Sequence, residues 1–96
     1  MLARTDLASW MTPVDRDILE LLWNEAGQEL VLTPGLIAEN TDWKRQTVRE
    51  HISLLLEYDL VEYHDESRAI YRLSKKGRQY LAGDLDAEEL ENDEDS

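Results

Sequence analysis

The chain has no cysteine, so neither disulfides nor thiolate metal sites can staple it. No apolar run approaches the roughly 18 residues of a membrane span, and the first residues, MLARTDLASWM, lack the apolar centre of a signal peptide. Glycine-rich phosphate loops, nucleophile–base motifs and metal-ligand spacings are missing as well. His51 and His64 stand apart in the sequence, so no metal site is expected. These absences argue against an enzyme, a cofactor or a small-molecule ligand, and for a soluble cytoplasmic protein. Proline is also scarce. Both prolines follow a threonine, in Thr12-Pro13 and Thr33-Pro34, which is how a helix starts rather than how a chain is broken. What is present, 96 residues, suffices for one small domain with one modest core.

Charge is abundant and unevenly placed. The net charge is -12 at neutral pH. Residues 44–78 nevertheless hold eight of the ten basic residues against six acids, a local balance of +2, and the remainder carries -14. The acidity lies mostly outside the stretch DWKRQTVREHISLLLEYDLVEY, which gathers Lys44, Arg45 and Arg49 within six residues. Three lysines against seven arginines, with acids on predicted helix surfaces as well as the tail, form a bias similar to that of salt-in halophilic archaea. An ordinary acidic protein with an acidic tail is the alternative.

The apolar spacing lays out the elements. After Thr12-Pro13 and Asp15, the residues Val14, Ile18, Leu21 and Leu22 give one helix face, with Gly27 as its end. Leu30, Val31 and Leu32 form a brief extended segment, and Thr33-Pro34 opens a short helix containing Leu36, Ile37 and Ala38. A turn at Asn40-Thr41-Asp42 precedes a third helix, 44–57, patterned by Val48, Ile52, Leu55 and Leu56. LVEYH and IYRLS read as an antiparallel hairpin around the polar residues 65–69, and Ser74 caps a last helix, KKGRQYLAG, weakened by Gly77 and ended by Gly83. The tail, DLDAEELENDEDS, has eight acids in thirteen residues and too little apolar surface for a core. Residues 1–11 read as an N-terminal extension, 12–83 as the domain and 84–96 as an acidic, disordered tail. The expected fold class is mainly α with a small β-hairpin.

Three helices followed by a hairpin is the order of a winged helix-turn-helix. The stretch IAENTDWKRQTVREHISLLLEYDLV resembles that motif through Ile37, Ala38, the turn at Asp42, a buried Trp43, and Thr47, Val48, Ile52 and Leu55. LVEYH and YRLSKKGRQYL continue the resemblance to about residue 83. It is most similar to haloarchaeal winged-helix transcription regulators of the phage phiH repressor type. The resemblance implies a sequence-specific regulator of double-stranded DNA, a repressor in the simplest case. It would lay helix 44–57 in a major groove, which is about 12 Å wide and accepts one helix.

On the helical wheel Gln46, Glu50 and Ser53 point away from the apolar face. Thr47 and Arg49 flank them, and Arg45 sits nearer the core edge with a side chain long enough to swing outward. Arg45, Gln46, Arg49 and Glu50 are therefore the base-reading candidates, and Lys44 and Thr47 the phosphate contacts. Arginine suits guanine, glutamine suits adenine, and glutamate accepts from cytosine. Arg68 at the wing tip and Lys75 and Lys76 at the last helix start complete the candidate DNA contacts.

His51 and the three tryptophans read as packing residues. Asp42 and Asp59 stand where such sequences usually have glycine, and Leu54 leaves an apolar side chain on the exposed face. A homodimer is suggested by Trp10, Met11, Tyr80 and Leu81 near the domain's ends. The rival function is a winged helix used as a protein-interaction module without DNA binding.

The acidic tail gives a first prediction. Deleting residues 84–96 is expected to strengthen DNA binding at about 0.1 M KCl and to change it little at about 1 M, because the Debye length falls from about 10 Å to about 3 Å. Identical affinities of the truncated and full chains at the lower salt would mean that the tail is no electrostatic brake.

Overall fold

The computed structural model of the protein describes residues 7–23, 30–85 and residue 89. Its elements are α1 (Pro13–Trp23), α2 (Pro34–Glu39), α3 (Arg45–Glu57), β1 (Val61–Asp65), β2 (Ile70–Leu73) and α4 (Lys75–Leu81). This is the winged helix-turn-helix order expected from the sequence. The expected end of the first helix at Gly27 and most of the acidic tail lie outside the described residues.

Three helix starts are satisfied by their own side chains. The Thr33 hydroxyl accepts from the Leu36 amide at 3.2 Å and the Ser74 hydroxyl from the Gly77 amide at 3.0 Å. At α1 the roles reverse: Thr12 donates both its amide (2.9 Å) and its hydroxyl (3.0 Å) to Asp15 Oδ2, the reciprocal half of a capping box. Asp15 is fully buried. Its other oxygen lies 2.9 Å from His51 Nδ1 on α3, and since a carboxylate can only accept, Nδ1 is the donor. A residue expected only as a helix-start acid thus fastens α1 to α3, 36 positions away.

Two helices end in the same way. The Leu60 amide donates back to the Leu55 carbonyl (2.9 Å) and the Asp59 amide to Leu56 (3.0 Å), with Asp59 at φ 64°. After α4 the Asp84 amide donates to Gln79 (2.8 Å) and the Gly83 amide to Tyr80 (3.1 Å), with Gly83 at φ 87°. Both are Schellman closures, which need one left-handed residue. Glycine supplies it without strain after α4, and aspartate after α3. Ala69, at φ 55°, is the other non-glycine residue with positive φ among those described; Asp42, which also stands where such sequences usually have glycine, does not take that conformation.

The hairpin pairs Val61 with Leu73, Glu62 with Arg72 and Tyr63 with Tyr71, then slips so that Asp65 meets Ile70 and His64 is left over as a bulge. The Glu62–Arg72 neighbours form a cross-strand ion pair at 2.7 Å. One 3-10 turn, Glu66–Arg68, closes the loop. Leu32 adds a third, one-residue rung, exchanging amide–carbonyl bonds with Tyr71 at 3.0 and 2.9 Å.

Ile18, Leu19, Leu22, Ile37, Val48, Ile52, Leu55, Leu60, Leu73, Tyr80 and Leu81 fill the centre. Each fully buried aliphatic side chain there contributes about 1.5–3 kcal/mol. Ala8 and Met11 join this core, so the packed body reaches into the segment expected as an extension. Met11, Tyr80 and Leu81 are 7, 1 and 1% exposed, and Trp10 stacks on Tyr58 with ring centroids 4.0 Å apart. The four residues that suggested a homodimer are therefore used inside one chain. Leu54 is half-buried, not fully exposed.

Gly77 has a purpose that the sequence conceals. A Cβ there would run into the Leu60 carbonyl oxygen and press on Leu73, so glycine lets α4 lie directly on the α3–β1 turn. Helix propensity alone predicts that Gly77→Ala stabilises by about 1 kcal/mol. The overpacked contact predicts a loss of about 1–3 kcal/mol instead. Chemical unfolding decides the sign, and an alanine variant as stable as the parent would contradict the close approach.

Candidate nucleic-acid interface

The N-terminus of α3 is built against the usual rules of helix stability. Lys44, expected inside the helix, is its N-cap, and it provides no capping hydrogen bond. No acid stands in the first turn, and Arg45 adds a second cation to the positive end of the helix dipole. Each such cation costs about 0.3–1 kcal/mol at an exposed site. Both side chains are exposed. The turn itself is well tied: the Trp43 indole nitrogen donates to Asp17 Oδ2 at 2.8 Å, and the Thr41 hydroxyl donates to the Ile37 carbonyl at 3.0 Å. Trp43 is half-buried against the core rather than enclosed by it.

The candidate readers on α3 fall into two rows. Successive helical residues turn by about 100°, which sets Gln46 and Glu50 in one row and Arg45, Arg49 and Ser53 in the next. Gln46 and Glu50 are exposed, and Thr47 is half-buried on the far side of them. The arginine row runs alongside the start of α2. Arg45 does not swing outward: its guanidinium lies over Gly35, where an added Cβ would come within 3.1 Å of Nη2. Arg49 and Ser53, with Ile52, form one wall of a cleft of about 300 Å³ whose other walls are Pro34 of α2 and Ala69 and Tyr71 of the wing.

The wing side of this cleft is aromatic. Tyr63, 39% exposed, leans on Tyr71 with centroids 4.9 Å apart. Burial, and after it the hydrogen bond and proximity of Tyr63, push the Tyr71 phenol up to about 12, with the Arg49 charge pulling weakly the other way. Tyr71 therefore remains a protonated O–H. At the wing tip the Ser67 hydroxyl donates to Asp65 at 2.9 Å. That bond first, and then the Arg68 amide and guanidinium, hold the Asp65 carboxyl below its ordinary value. Arg68 approaches Asp65 only to 3.8 Å, and its side chain is 73% exposed.

Not every candidate gathers here. Lys75 and Lys76 follow Ser74, which donates its amide to the Leu60 carbonyl and its hydroxyl to the Asp59 carbonyl just beyond the end of α3. Arg45 is at the other end of that helix, about 18 Å along its axis. The structure thus brings together Lys44, Arg45, Gln46, Thr47, Arg49 and Glu50, sets Arg68 at the hairpin tip, and puts Lys75 and Lys76 at the hairpin base.

Sequence reading missed three contributors: Gly35 beneath Arg45, Tyr71 in the cleft, and the Asp15–His51 tie that anchors the back of α3. Tyr71 alternates with Leu73 and so reads as core; nothing in the local pattern shows that it also borders a cleft.

A model of the winged helix-turn-helix phage repressor family matches residues 1–93. The repressor protein of Halobacterium phage phiH is 36% identical over 83 residues, which cover 85% of this chain and 91% of that protein. Among solved structures, that of the PhiH1 repressor-like protein from Haloarcula marismortui is similar with a TM-score of 0.71 at 26% identity, covering 88% of this chain and 92% of the other.

The uncapped start of α3 yields a prediction about stability alone. Lys44→Ser introduces a capping oxygen and removes a cation, and is expected to raise the unfolding free energy by about 1 kcal/mol. A thermal melt in which Lys44→Ser is no more stable than the parent would mean that those amides are already satisfied.

Proposed function

The chain belongs to the winged helix-turn-helix phage repressor family, and we propose that it is a sequence-specific DNA-binding repressor that lays α3 in a major groove and braces the duplex with its wing. One observation carries the reading. In a chain of net charge -12, Lys44, Arg45, Arg49, Lys75 and Lys76 have no carboxylate partner among the described residues, while Arg16, Arg68 and Arg72 do. Cations that stay unpaired among so many acids, four of them at helix N-termini where the dipole disfavours them, fit a surface kept for an anionic polymer.

Within this reading the outward row of α3 meets the base edges. Gln46 is suited to adenine and Glu50 to the cytosine amino group. Lys44 and Thr47 serve phosphates, Arg45 and Arg49 supply the positive edge of the helix, and Arg68 reaches the backbone or minor groove from the wing tip. Repression follows from occupying a promoter. A cytoplasmic setting rich in salt is supported by the haloarchaeal origin of the relatives and by the scarcity of lysine; no described helix is long and apolar enough to cross a membrane. The rival reading, a protein-docking module, drew on the net charge of -12 and on an exposed Leu54; that residue is half-buried, which leaves the charge alone in its support.

Selection of binding sites from random duplexes in molar KCl tests the proposal. A preferred sequence is expected, and Gln46→Ala should weaken binding to it by about 1–3 kcal/mol without loss of fold. Recovery of no preferred sequence would refute specific recognition.

A further inference from the structure

We infer that the cleft between α3 and the wing receives one sugar–phosphate unit of the DNA backbone, and that Arg49 grips its phosphate instead of reading a base. The inference rests on the DNA-binding reading and assigns a part of the duplex to a part of the protein. A helix seated in a major groove and a hairpin leaning over the adjoining minor groove have a single backbone strand between them. The space between those two elements here is the cleft walled by Pro34, Arg49, Ile52, Ser53, Ala69 and Tyr71.

Its lining suits that occupant. Arg49 and Ser53 offer N–H and O–H donors, Tyr71 a hydroxyl shared with Tyr63, and Pro34, Ile52 and Ala69 an apolar wall for a deoxyribose. Among the described residues no carboxylate lines the cleft, in a chain with 22 acids among 96 residues; the Glu66 charge reaches Tyr71 only as the smallest of the influences on it. The Tyr71 phenol, pushed up to about 12, keeps its proton and so never adds a negative charge. The volume, about 300 Å³, leaves room for a sugar beside the phosphate.

Ser53 Oγ now donates to the Arg49 carbonyl at 3.3 Å, a long bond that a rotation of the hydroxyl exchanges for a phosphate oxygen. The direction of Arg49 completes the case. It belongs to the row facing α2 and the wing and lines the cleft together with Tyr71, whereas Gln46 and Glu50 project from the outward row. Specificity then falls to the polar row, and the arginine supplies position and affinity.

Fluorescence anisotropy on a selected duplex and on its scrambled counterpart, across a range of KCl, tests this with the full chain. Arg49→Ala should lower affinity for both duplexes by the same factor, about tenfold or more for a charge-assisted bond, and reduce the log–log salt slope by about 0.9. Arg49→Lys should retain the slope, because a phosphate accepts a point charge where bidentate guanine recognition does not.

Loss confined to the selected duplex, with an unchanged slope and no rescue by lysine, would make Arg49 a base reader and overturn the inference. Inorganic phosphate that competes with the duplex at constant ionic strength in the parent but not in Arg49→Ala would make the cleft a free-anion site, which also overturns it. A parent chain that binds neither duplex removes the DNA-binding reading itself, a result distinct from both.

Discussion

The backbone of Asp59 and Leu60 carries the connection between α3 and the hairpin beside it. Asp59 takes a left-handed conformation, so α3 closes on itself and the chain leaves in the direction of β1. The two carbonyls then accept from Ser74, whose hydroxyl reaches Asp59 at 2.6 Å and whose amide reaches Leu60 at 3.1 Å. Gly77 lets α4 pack against the same carbonyl of Leu60. A helix end, both ends of a hairpin and the start of another helix therefore meet at one short turn. The angle between α3 and the wing, and with it the cleft holding Arg49 and Tyr71, follows from that turn. A second tie, from the buried Asp15 to His51, fixes the opposite face of α3 to α1. The helix is held from behind and at its end, which leaves its N-terminal half to face outward.

That outward half is where the electrostatics depart from what stability would choose. Three arginines elsewhere have acidic neighbours: Arg16 pairs with Glu20, Arg72 with Glu62 and Arg68 with Asp65. Along α3 the arginines do not, and the helix start lacks both a capping side chain and a first-turn acid. Each omission costs a fraction of a kcal/mol to about 1 kcal/mol. An anion arriving at this end would recover that loss through the helix dipole and the unpaired charges together. The surrounding acidity acts over a distance set by the Debye length, so molar salt mutes it while contacts made at hydrogen-bond range persist.

Much of this architecture was legible from local chemistry. Thr33-Pro34 and Ser74 announce their helices because a cap is made within four residues, and the alternation of Val, Tyr and Leu announces the hairpin for the same reason. What stayed hidden depends on distant partners. Asp15 reads as a helix-start acid until His51, 36 positions on, is brought beside it. Gly77 reads as a weak point in a helix until the Leu60 carbonyl is seen against it. Met11, Tyr80 and Leu81 look like terminal apolar residues open to a second copy, and only the closed core shows them consumed. The arginines were legible as a cluster, and the helical wheel already set them off from Gln46 and Glu50; that the arginine row faces a cleft was not, because that depends on where α2 and the wing lie.

The central claim is that the ligand surface runs from the start of α3 across the cleft to the wing tip. Amide chemical-shift mapping of the labelled protein with its selected duplex in high salt measures this directly. The account predicts perturbations concentrated in residues 44–53 and 63–71, with α1 and the C-terminal part of α4 quiet. Perturbations centred on α1, or none at saturating duplex, would contradict it.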